Sequence, residues 1–279
     1  MGVFGDYQKQ GGLTRRKALV LGAAGLTVFG ATGLRAADMK PGETGRVIRV
    51  IDGDSFVLED GLIIRLAGIE APRTALKSKK REAWPFAGES RAALSGLINK
   101  REVQLFYGGE SRDRYGRAVA QVYTIAANGQ RDIWIQAEMV RLGLARVMPW
   151  PGEYADIAAL YALEAEAREK GRGIWSDPFY APRSPDPNAL AQFVDSVQIV
   201  EGIITSVADV RGQIYLNFGA DYRTDFTVAI AKKNVKRFTA GNIDPLALEG
   251  AKVRVRGWVE LINGPMIWLN QPERLEILS

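Results

Sequence analysis

The stretch that most constrains the fold is Gly45–Arg73, in which short apolar runs alternate with acidic turns. Asp52-Gly53-Asp54 and Asp60-Gly61 divide it, and Asp-Gly pairs between apolar runs are strong signals for β-hairpins. The runs predict three strands: Val47–Ile51, Phe56–Leu58 and Leu62–Leu66. The chain is therefore expected to form a tight antiparallel meander.

The polar residues of this meander occur at only a few positions. Asp52, Asp54, Arg65 and Glu70 interrupt or follow the apolar strands, so carboxylates and a guanidinium would meet near one end of a small sheet. Carboxylate oxygens suit a divalent cation, and arginine suits a phosphate. The alternative is that Asp-Gly-Asp serves only as a hairpin turn, since Asp and Gly favour turns for conformational reasons.

A second polar motif, Ser111–Arg117, separates two further predicted strands, Glu102–Tyr107 and Ala118–Thr124. It places a second guanidinium, that of Arg117, at the start of a strand. IDGDS, IRLAGIEAP and DRYGR stand in the order and at about the spacing of the staphylococcal nuclease (thermonuclease) family, which residues 45–177 resemble. QAEMVRLGLARV and EAREKGRGIW continue the resemblance.

The resemblance implies a mainly β fold with α-helices, an OB-type five-stranded barrel against which three helices pack. The helical spacing of apolar residues predicts those helices at Ala87–Asn99, Asp132–Leu142 and Tyr154–Lys170. Gly143 is expected to stop the second helix. Thr74–Phe86 lacks periodicity and is interpreted as a loop.

The resemblance also implies a calcium site. Asp54 and Glu70 match the two carboxylates that hold Ca²⁺ in the family, and the backbone carbonyl of Ala71 matches a third oxygen ligand. Asp52 would orient Asp54 without binding the ion itself. Glu70 stands where the family usually has Asp, which keeps the charge but extends the carboxylate by one methylene.

Four further residues match the substrate site of the family. Arg65 and Arg117 correspond to the two arginines that hold the phosphate and offset the charge that develops as water attacks phosphorus. Arg114 and Tyr115 would line the nucleotide site. The implied substrate is a nucleic acid, either DNA or RNA.

The position after Pro72 departs from the family. Active members carry there the glutamate that activates the attacking water, whereas this chain has Arg73. Arginine cannot accept a proton at any relevant pH, and it adds a positive charge beside the implied cation. Glu82 and Glu89 are the acids close enough in sequence to substitute. If the base is the only defect, Arg73→Glu is expected to restore cation binding and cleavage.

The composition narrows the available chemistry. The chain has no cysteine, so neither disulfides nor a thiol nucleophile are available. It has no histidine either, which excludes imidazole general bases, serine–histidine triads and the usual zinc sites. Carboxylates, Lys, Tyr or a metal-bound water remain for any reaction.

The N-terminal segment predicts export. Leu13–Lys17 is basic, Ala18–Leu34 is uncharged, and small residues follow, as in a secretory signal peptide over residues 1–37. The paired arginines of the basic part resemble a twin-arginine signal. The mature protein would be periplasmic or secreted, with no membrane span left after cleavage near Ala37. The alternative is an uncleaved anchor, since a run of about 17 residues is at the low end of what spans a bilayer.

The overall charge is weak evidence for a nucleic-acid partner. Residues 1–37 carry +4 of the chain's +5, so the high isoelectric point mainly reflects the leader. The local exception is a run of cations that is either a solvated loop or a binding patch: Arg73, Lys77, Lys79, Lys80 and Arg81.

The last third of the chain predicts a second domain. Residues 178–189 contain four prolines and are interpreted as a linker without regular structure. The alternating segment Lys252–Arg256 would bury its two valines and expose its three cations. Residues 190–279 resemble a second small OB-like barrel with five strands: Val197–Val207, Gln213–Phe218, Asp225–Ala229, Lys252–Glu260 and Pro265–Asn270.

OB-type barrels often bind single-stranded nucleic acid through stacked aromatic side chains and a basic groove. Residues 190–279 contain ten Lys and Arg and ten Asp and Glu, whereas a nonspecific polyanion binder usually has excess cations. The alternative role for the aromatic residues is to fill the barrel. The candidates are Tyr215, Phe218, Tyr222, Phe226, Trp258 and Trp268.

Two functions of different class follow. The first is an exported, metal-dependent nuclease of the thermonuclease type. The second is a non-catalytic module on a degenerate nuclease scaffold, in which Arg65, Arg73 and Arg117 bind phosphate-bearing ligands, nucleic acid or a protein.

Overall fold

The computed structural model describes residues 39–75, 82–153 and 155–278. The predicted leader, residues 1–37, and most of the cation run after Arg73 lie outside these residues. Within the described ranges, no helix combines the length and the apolar character needed to cross a bilayer.

The first half of the described chain forms a closed five-stranded barrel. β1 pairs with β2, β2 with β3, β3 with β6, β6 with β5, and β5 with β1. All these pairs are antiparallel except β3 with β6. The strands of this half are β1 (Lys40–Val50), β2 (Ser55–Leu58), β3 (Ile63–Leu66), β4 (Ile69–Glu70), β5 (Glu102–Tyr107), β6 (Ala118–Ile125), β7 (Arg131–Trp134) and β8 (Arg146–Val147). The predicted OB-type barrel is confirmed.

Strand β1 begins seven residues earlier than the apolar pattern predicts, at Lys40 instead of Val47. Its first half pairs with β5 from Lys40 to Arg46, and its second half pairs with β2 from Val47. One bent strand therefore serves two neighbours. The first half is too polar to be recognised by its side chains alone.

Three helices accompany the barrel as predicted, with shifted bounds: α1 (Ala87–Ile98), α2 (Ile135–Arg141) and α3 (Ile157–Glu169). The predicted helical start at residues 132–134 is wrong, because Trp134 pairs with Tyr123 in the sheet and its indole donates a 2.8 Å hydrogen bond to Gln121. Gly143, at φ +67°, follows the end of α2 in the left-handed conformation that glycine favours.

The second half forms a second curved sheet in which β10 pairs with β11, β11 with β12, β12 with β14 in parallel, β14 with β13, and β13 with β9. Ile204 and Thr205 connect β9 directly to β10, so this short connection, instead of a strand pairing, completes the second barrel. Its elements are α4 (Pro187–Leu190), β9 (Ser196–Ile203), β10 (Ser206–Val210), β11 (Gln213–Asn217), β12 (Thr227–Ile230), α5 (Lys232–Ala240), β13 (Lys252–Leu261), β14 (Pro265–Leu269) and β15 (Leu275–Leu278). The predicted OB-like architecture is confirmed, although the sequence did not indicate α5 or β15.

The proline-rich segment is more ordered than expected of a linker. A 3-10 turn, Pro178–Tyr180, and the helix α4 each begin with a proline after an aspartate whose carboxylate caps the turn. Proline suits the first helical position because its missing N–H has no partner there anyway. The backbone of Arg183 also bonds to Ile199 and Glu201 of β9. Composition alone did not reveal these contacts.

Each barrel has its own apolar core. Phe226 is fully buried and Phe218 nearly so, which supports the filling role for these two aromatic residues. Tyr222 and Trp258 are exposed.

The two barrels are joined by buried polar contacts. The predicted exposure of the three cations of β13 is confirmed only for Lys252, because Arg254 pairs with Glu201 and Glu276 and is buried, and Arg256 is completely buried against α3. Its guanidinium donates to both carboxylate oxygens of Glu164, at 3.0 and 2.5 Å, and to Glu276 at 2.7 Å. Tyr161 of α3 donates to the backbone carbonyl of Glu273. Arg256 and Tyr161 therefore join the two barrels.

Candidate functional site

The Asp-Gly-Asp turn between β1 and β2 is built against helix α1. Asp52 accepts the backbone N–H of Asp54 at 3.2 Å and the hydroxyl of Ser55. A Cβ atom at Gly53 would overlap the side chains of Ser90 and Ala71, so the turn requires glycine for close approach. The packing fixes Asp54 beside Ala71, which the sequence motifs also bring together.

Asp54 is a half-buried carboxylate that accepts two hydrogen bonds, of which the one from the Ser55 hydroxyl to Oδ1 is long, at 3.3 Å. Its Oδ2 accepts the backbone N–H of Ala71 at 2.9 Å. Burial, together with the negative charge of Asp52, raises the pKa of Asp54 to about 7, although Arg65 and the Ala71 hydrogen bond oppose this. The group is therefore poised to exchange a proton near neutral pH.

Glu70 lies on β4 with both carboxylate oxygens bound by arginines. Arg73 donates to Oε1 at 2.9 Å, and Arg146 donates to Oε2 from Nε at 3.0 Å and from Nη2 at 2.6 Å. Burial would raise the pKa of Glu70, but Arg146 and Arg73 outweigh it and hold that pKa below its ordinary value. The carboxylate is thus kept ionised by two cations.

This arrangement does not fit Ca²⁺. Calcium takes six to eight oxygen ligands, mostly carboxylates and carbonyls. Glu70 has both oxygens engaged by guanidinium groups, and Asp54 accepts hydrogen bonds. Across residues 39–75, 82–153 and 155–278, no three acidic side chains come close enough together to hold a metal ion.

Arg65, the first implied phosphate ligand, is paired internally. Its guanidinium binds Glu153, whose side chain is buried, and the Arg65 side chain is itself only 11% exposed. Glu153 also accepts the backbone N–H of Gly68 at 2.6 Å and that of Trp150 at 3.3 Å. The Glu153 carboxylate therefore accepts hydrogen bonds from three donors: the guanidinium of Arg65 and these two backbone N–H groups. Glu153 is 88 residues from Arg65 in sequence, so no local pattern reveals it.

The second implied phosphate ligand lies at the surface. Arg117 forms a 2.7 Å ion pair with Asp113. Tyr115 is 69% exposed, and the guanidinium carbons of Arg114 and Arg117 lie 4.8 and 5.7 Å from its ring centroid. The motif therefore presents an aromatic face flanked by two cations.

Arg73 occupies the position of the missing base and faces partly outward. Its guanidinium carbon lies 4.8 Å from the ring of Trp84, and its side chain is 37% exposed. The guanidinium of Arg146 approaches the same ring at 5.8 Å. Glu82 and Glu89, the suggested substitutes for the base, are exposed to solvent.

The part of the chain that contains this site is similar to known proteins. Residues 63–177 match the sequence model of a family described as staphylococcal nuclease homologue. Protein ParB of Escherichia coli is 35% identical over 59% of this chain and 88% of its own length. The chain belongs to the staphylococcal nuclease family.

Other members of the family are similar over the same region. Micrococcal nuclease of Shigella flexneri is 34% identical over 48% of this chain and 74% of its own length. An uncharacterized endonuclease of Escherichia coli O157:H7 is 36% identical over 48% of this chain and 77% of its own length. The match to the family model ends before the second barrel begins.

Proposed function

We propose that this nuclease-family protein binds nucleic-acid phosphates at the site around Glu70 and does not catalyse calcium-dependent hydrolysis there. The observation that carries the proposal is the pairing of Glu70 with Arg73 and Arg146, through both carboxylate oxygens. A cation could use Glu70 only by breaking a buried ion pair. Removing one partner of such a pair typically costs about 3–5 kcal/mol.

An anion, by contrast, can bind Arg73 without breaking an ion pair. Its guanidinium donates one hydrogen bond, from Nη2 to Glu70, and its partly exposed side chain stacks near Trp84. A guanidinium has five N–H donors in a planar fork that matches phosphate geometry. A phosphate oxygen can therefore reach Arg73 without disturbing the buried pairs.

Tyr115 supplies a stacking surface for a base. Stacking on an exposed aromatic residue contributes about 1–3 kcal/mol per base, and the flanking cations Arg114 and Arg117 attract the backbone. Because every base has a flat face, binding through these residues would be tolerant of sequence. Single-stranded nucleic acid is the ligand that fits this chemistry.

Fluorescence anisotropy with a labelled single-stranded oligonucleotide tests the proposal, measured in EDTA and in Ca²⁺, with gel analysis for cleavage. Binding is expected to be equal in both, with no cleavage. Tyr115→Ala should weaken binding about 5- to 150-fold, which corresponds to 1–3 kcal/mol. Tyr115→Phe is the matched control, because it keeps the aromatic ring and removes only the hydroxyl that accepts a 2.7 Å hydrogen bond from Arg114, so it should bind about as well as the wild type. Calcium-dependent cleavage that Glu70→Gln abolishes would contradict the proposal.

Metal-dependent hydrolysis at the same site is the second candidate function. It is favoured by the relatives named micrococcal nuclease and endonuclease, and by Asp54 and Glu70, which match the two carboxylates that hold the cation in the family. The gel assay above separates it from the first candidate.

We also propose that residues 1–37 are an export signal, of twin-arginine type, and that the mature protein is periplasmic or secreted. The support is the order of basic, uncharged and small residues. N-terminal sequencing of the exported protein is expected to begin near Asp38. A protein that still begins at Met1 and fractionates with the cytosol would contradict export.

A further inference from the structure

The strand β8 lies between the site and the second barrel. On one side β8 pairs with β4, with Arg146 opposite Glu70 and Val147 opposite Ile69. On the other side, Nη2 of Arg146 donates to the backbone carbonyl of Val197 in β9 at 3.2 Å, in addition to its bond to Glu70. A single guanidinium therefore joins the site to the second barrel.

The second barrel also holds the backbone that carries Arg146. Arg256 donates to the carbonyl of Val147 at 2.8 Å, and Arg274 donates to the carbonyl of Pro149 at 2.7 Å. Both arginines are buried. Buried charge-assisted hydrogen bonds are short and strong, so they leave this segment little freedom.

We infer that Arg146, held in place by the second barrel, is the positioning residue that makes the site select anions over cations. The inference rests on the proposed function and names the element that enforces it. With Arg146 fixed, Glu70 is unavailable to a divalent cation, and the group formed by Glu70, Arg73 and Arg146 carries a net charge of +1. The second barrel contributes to this site by orienting Arg146.

Arg146 binds Glu70 more firmly than Arg73 does. It binds Oε2 of Glu70 through two nitrogens, and its side chain is 6% exposed. Arg73 uses one nitrogen from a partly exposed side chain. Arg73→Glu alone therefore leaves Glu70 paired, so the sequence-based expectation that this change restores cation binding has to be revised. Both arginines have to be replaced to open a cation site.

Terbium luminescence in the full-length chain tests this inference. Tb³⁺ replaces Ca²⁺ at oxygen sites, and Trp84 lies close enough to both arginines to sensitise an ion bound at Glu70. The wild type and Arg73→Glu are expected to give no sensitised signal. Arg73→Glu combined with Arg146→Met should give a signal at least tenfold higher, and Trp84→Phe should remove it. Arg141→Met, which removes an exposed pair with Glu138, is the matched control for Arg146→Met.

Strong sensitised binding of Tb³⁺ by Arg73→Glu alone would overturn the inference. A double variant that folds but gives no sensitised signal would also overturn it. If Arg146→Met does not fold, Glu70→Gln decides the question. An amide keeps the shape but weakens the hold on both guanidinium groups, so affinity for inorganic phosphate should rise at least fivefold. An unchanged affinity would overturn the inference.

The two proposals fail separately. Sensitised binding of Tb³⁺ by the wild type contradicts the inference that Arg146 keeps cations away from Glu70, whatever the oligonucleotide assay shows. A wild type that stays dark but does not bind the oligonucleotide contradicts only the proposed function.

Discussion

Arg256→Met is expected to destabilise both barrels together. The guanidinium of Arg256 is fully buried and satisfies Glu164, Glu276 and the carbonyl of Val147 at once. Methionine fills a similar volume but takes the closest cation away from two carboxylates, which keep only the longer contacts of Glu164 with Arg168 at 3.8 Å and of Glu276 with Arg254 at 3.4 Å. Removing one partner of a buried ion pair costs about 3–5 kcal/mol, and the lost contact with the ring of Tyr161, 4.5 Å away, adds to this.

Calorimetry and hydrogen exchange measure this loss. A cost of 3–5 kcal/mol lowers the melting temperature of a chain this size by roughly 6–20 °C. Wild type should melt in one transition, and Arg256→Met should speed exchange in the cores of both barrels. Lys252→Met is the matched control: Lys252 lies on the same strand and face, but its pair with Glu201 is exposed and contributes about 0–1 kcal/mol.

The pH dependence gives an independent check. Burial would raise the pKa of Glu164, and Arg256 outweighs it, so the pKa in the wild type lies below its ordinary value. The variant lacks the two contributions of Arg256, so the pKa of Glu164 rises relative to the wild type, although Arg168 and the backbone N–H of Val147 still lower it. The stability deficit should therefore be smallest below the lowered pKa of Glu164 in the wild type, should grow as pH rises from that value, and should level off above the pKa of Glu164 in the variant.

Two results would refute this reasoning. Arg256→Met could cost no more than Lys252→Met, which would mean that water solvates the carboxylates. Faster exchange confined to the second barrel would instead mean that the barrels are energetically independent. Arg256→Met with Glu164→Met should recover most of the loss, because a buried pair can often be replaced by apolar side chains.

Three further predictions concern the site and the connection between barrels. Asp54→Asn should stabilise the protein at neutral pH by at most about 4 kcal/mol, since a folded-state pKa raised from 3.8 to about 7 loses stability as pH rises across that window; urea titrations at several pH values check this. Gly53→Ala should cost about 1–3 kcal/mol in the same assay, because its methyl group would overlap Ser90 and Ala71. Limited proteolysis should not cut first within residues 178–189, whose backbone is partly paired with β9; rapid release of two intact barrels by cleavage there would contradict this.

The sequence predicted those strands and helices that are specified by their own apolar residues and flanking turns. β5 and β6 were found to within a residue because alternating apolar residues and flanking turns specify them. α5 was missed, since its sequence KKNVKRFTA has only Val235 and Phe238 as large apolar residues. Residues 132–134 were assigned to a helix, because the strand there depends on pairing with Tyr123.

The site was predictable only in part. The motifs indicated that Asp54, Glu70 and Ala71 belong together, and the turn packing brings Asp54 against Ala71. The contacts that decide the electrostatics come from Arg146 and Glu153, which lie 76 residues from Glu70 and 88 residues from Arg65. Their side chains reach the site only after the barrel, β8 and the second domain have packed. No spacing rule encodes that.

The burial of Arg256 against α3 has a consequence for the order of folding. Glu164 and Arg256 are 92 residues apart, and N-terminal segments are synthesised first. Until β13 has formed, the face of α3 around Glu164 has no cation from the second barrel, so the first barrel can reach its final arrangement only late. Any quality-control protease that acts on incomplete chains would meet a nuclease-like domain in which Glu164 does not yet have its partner Arg256.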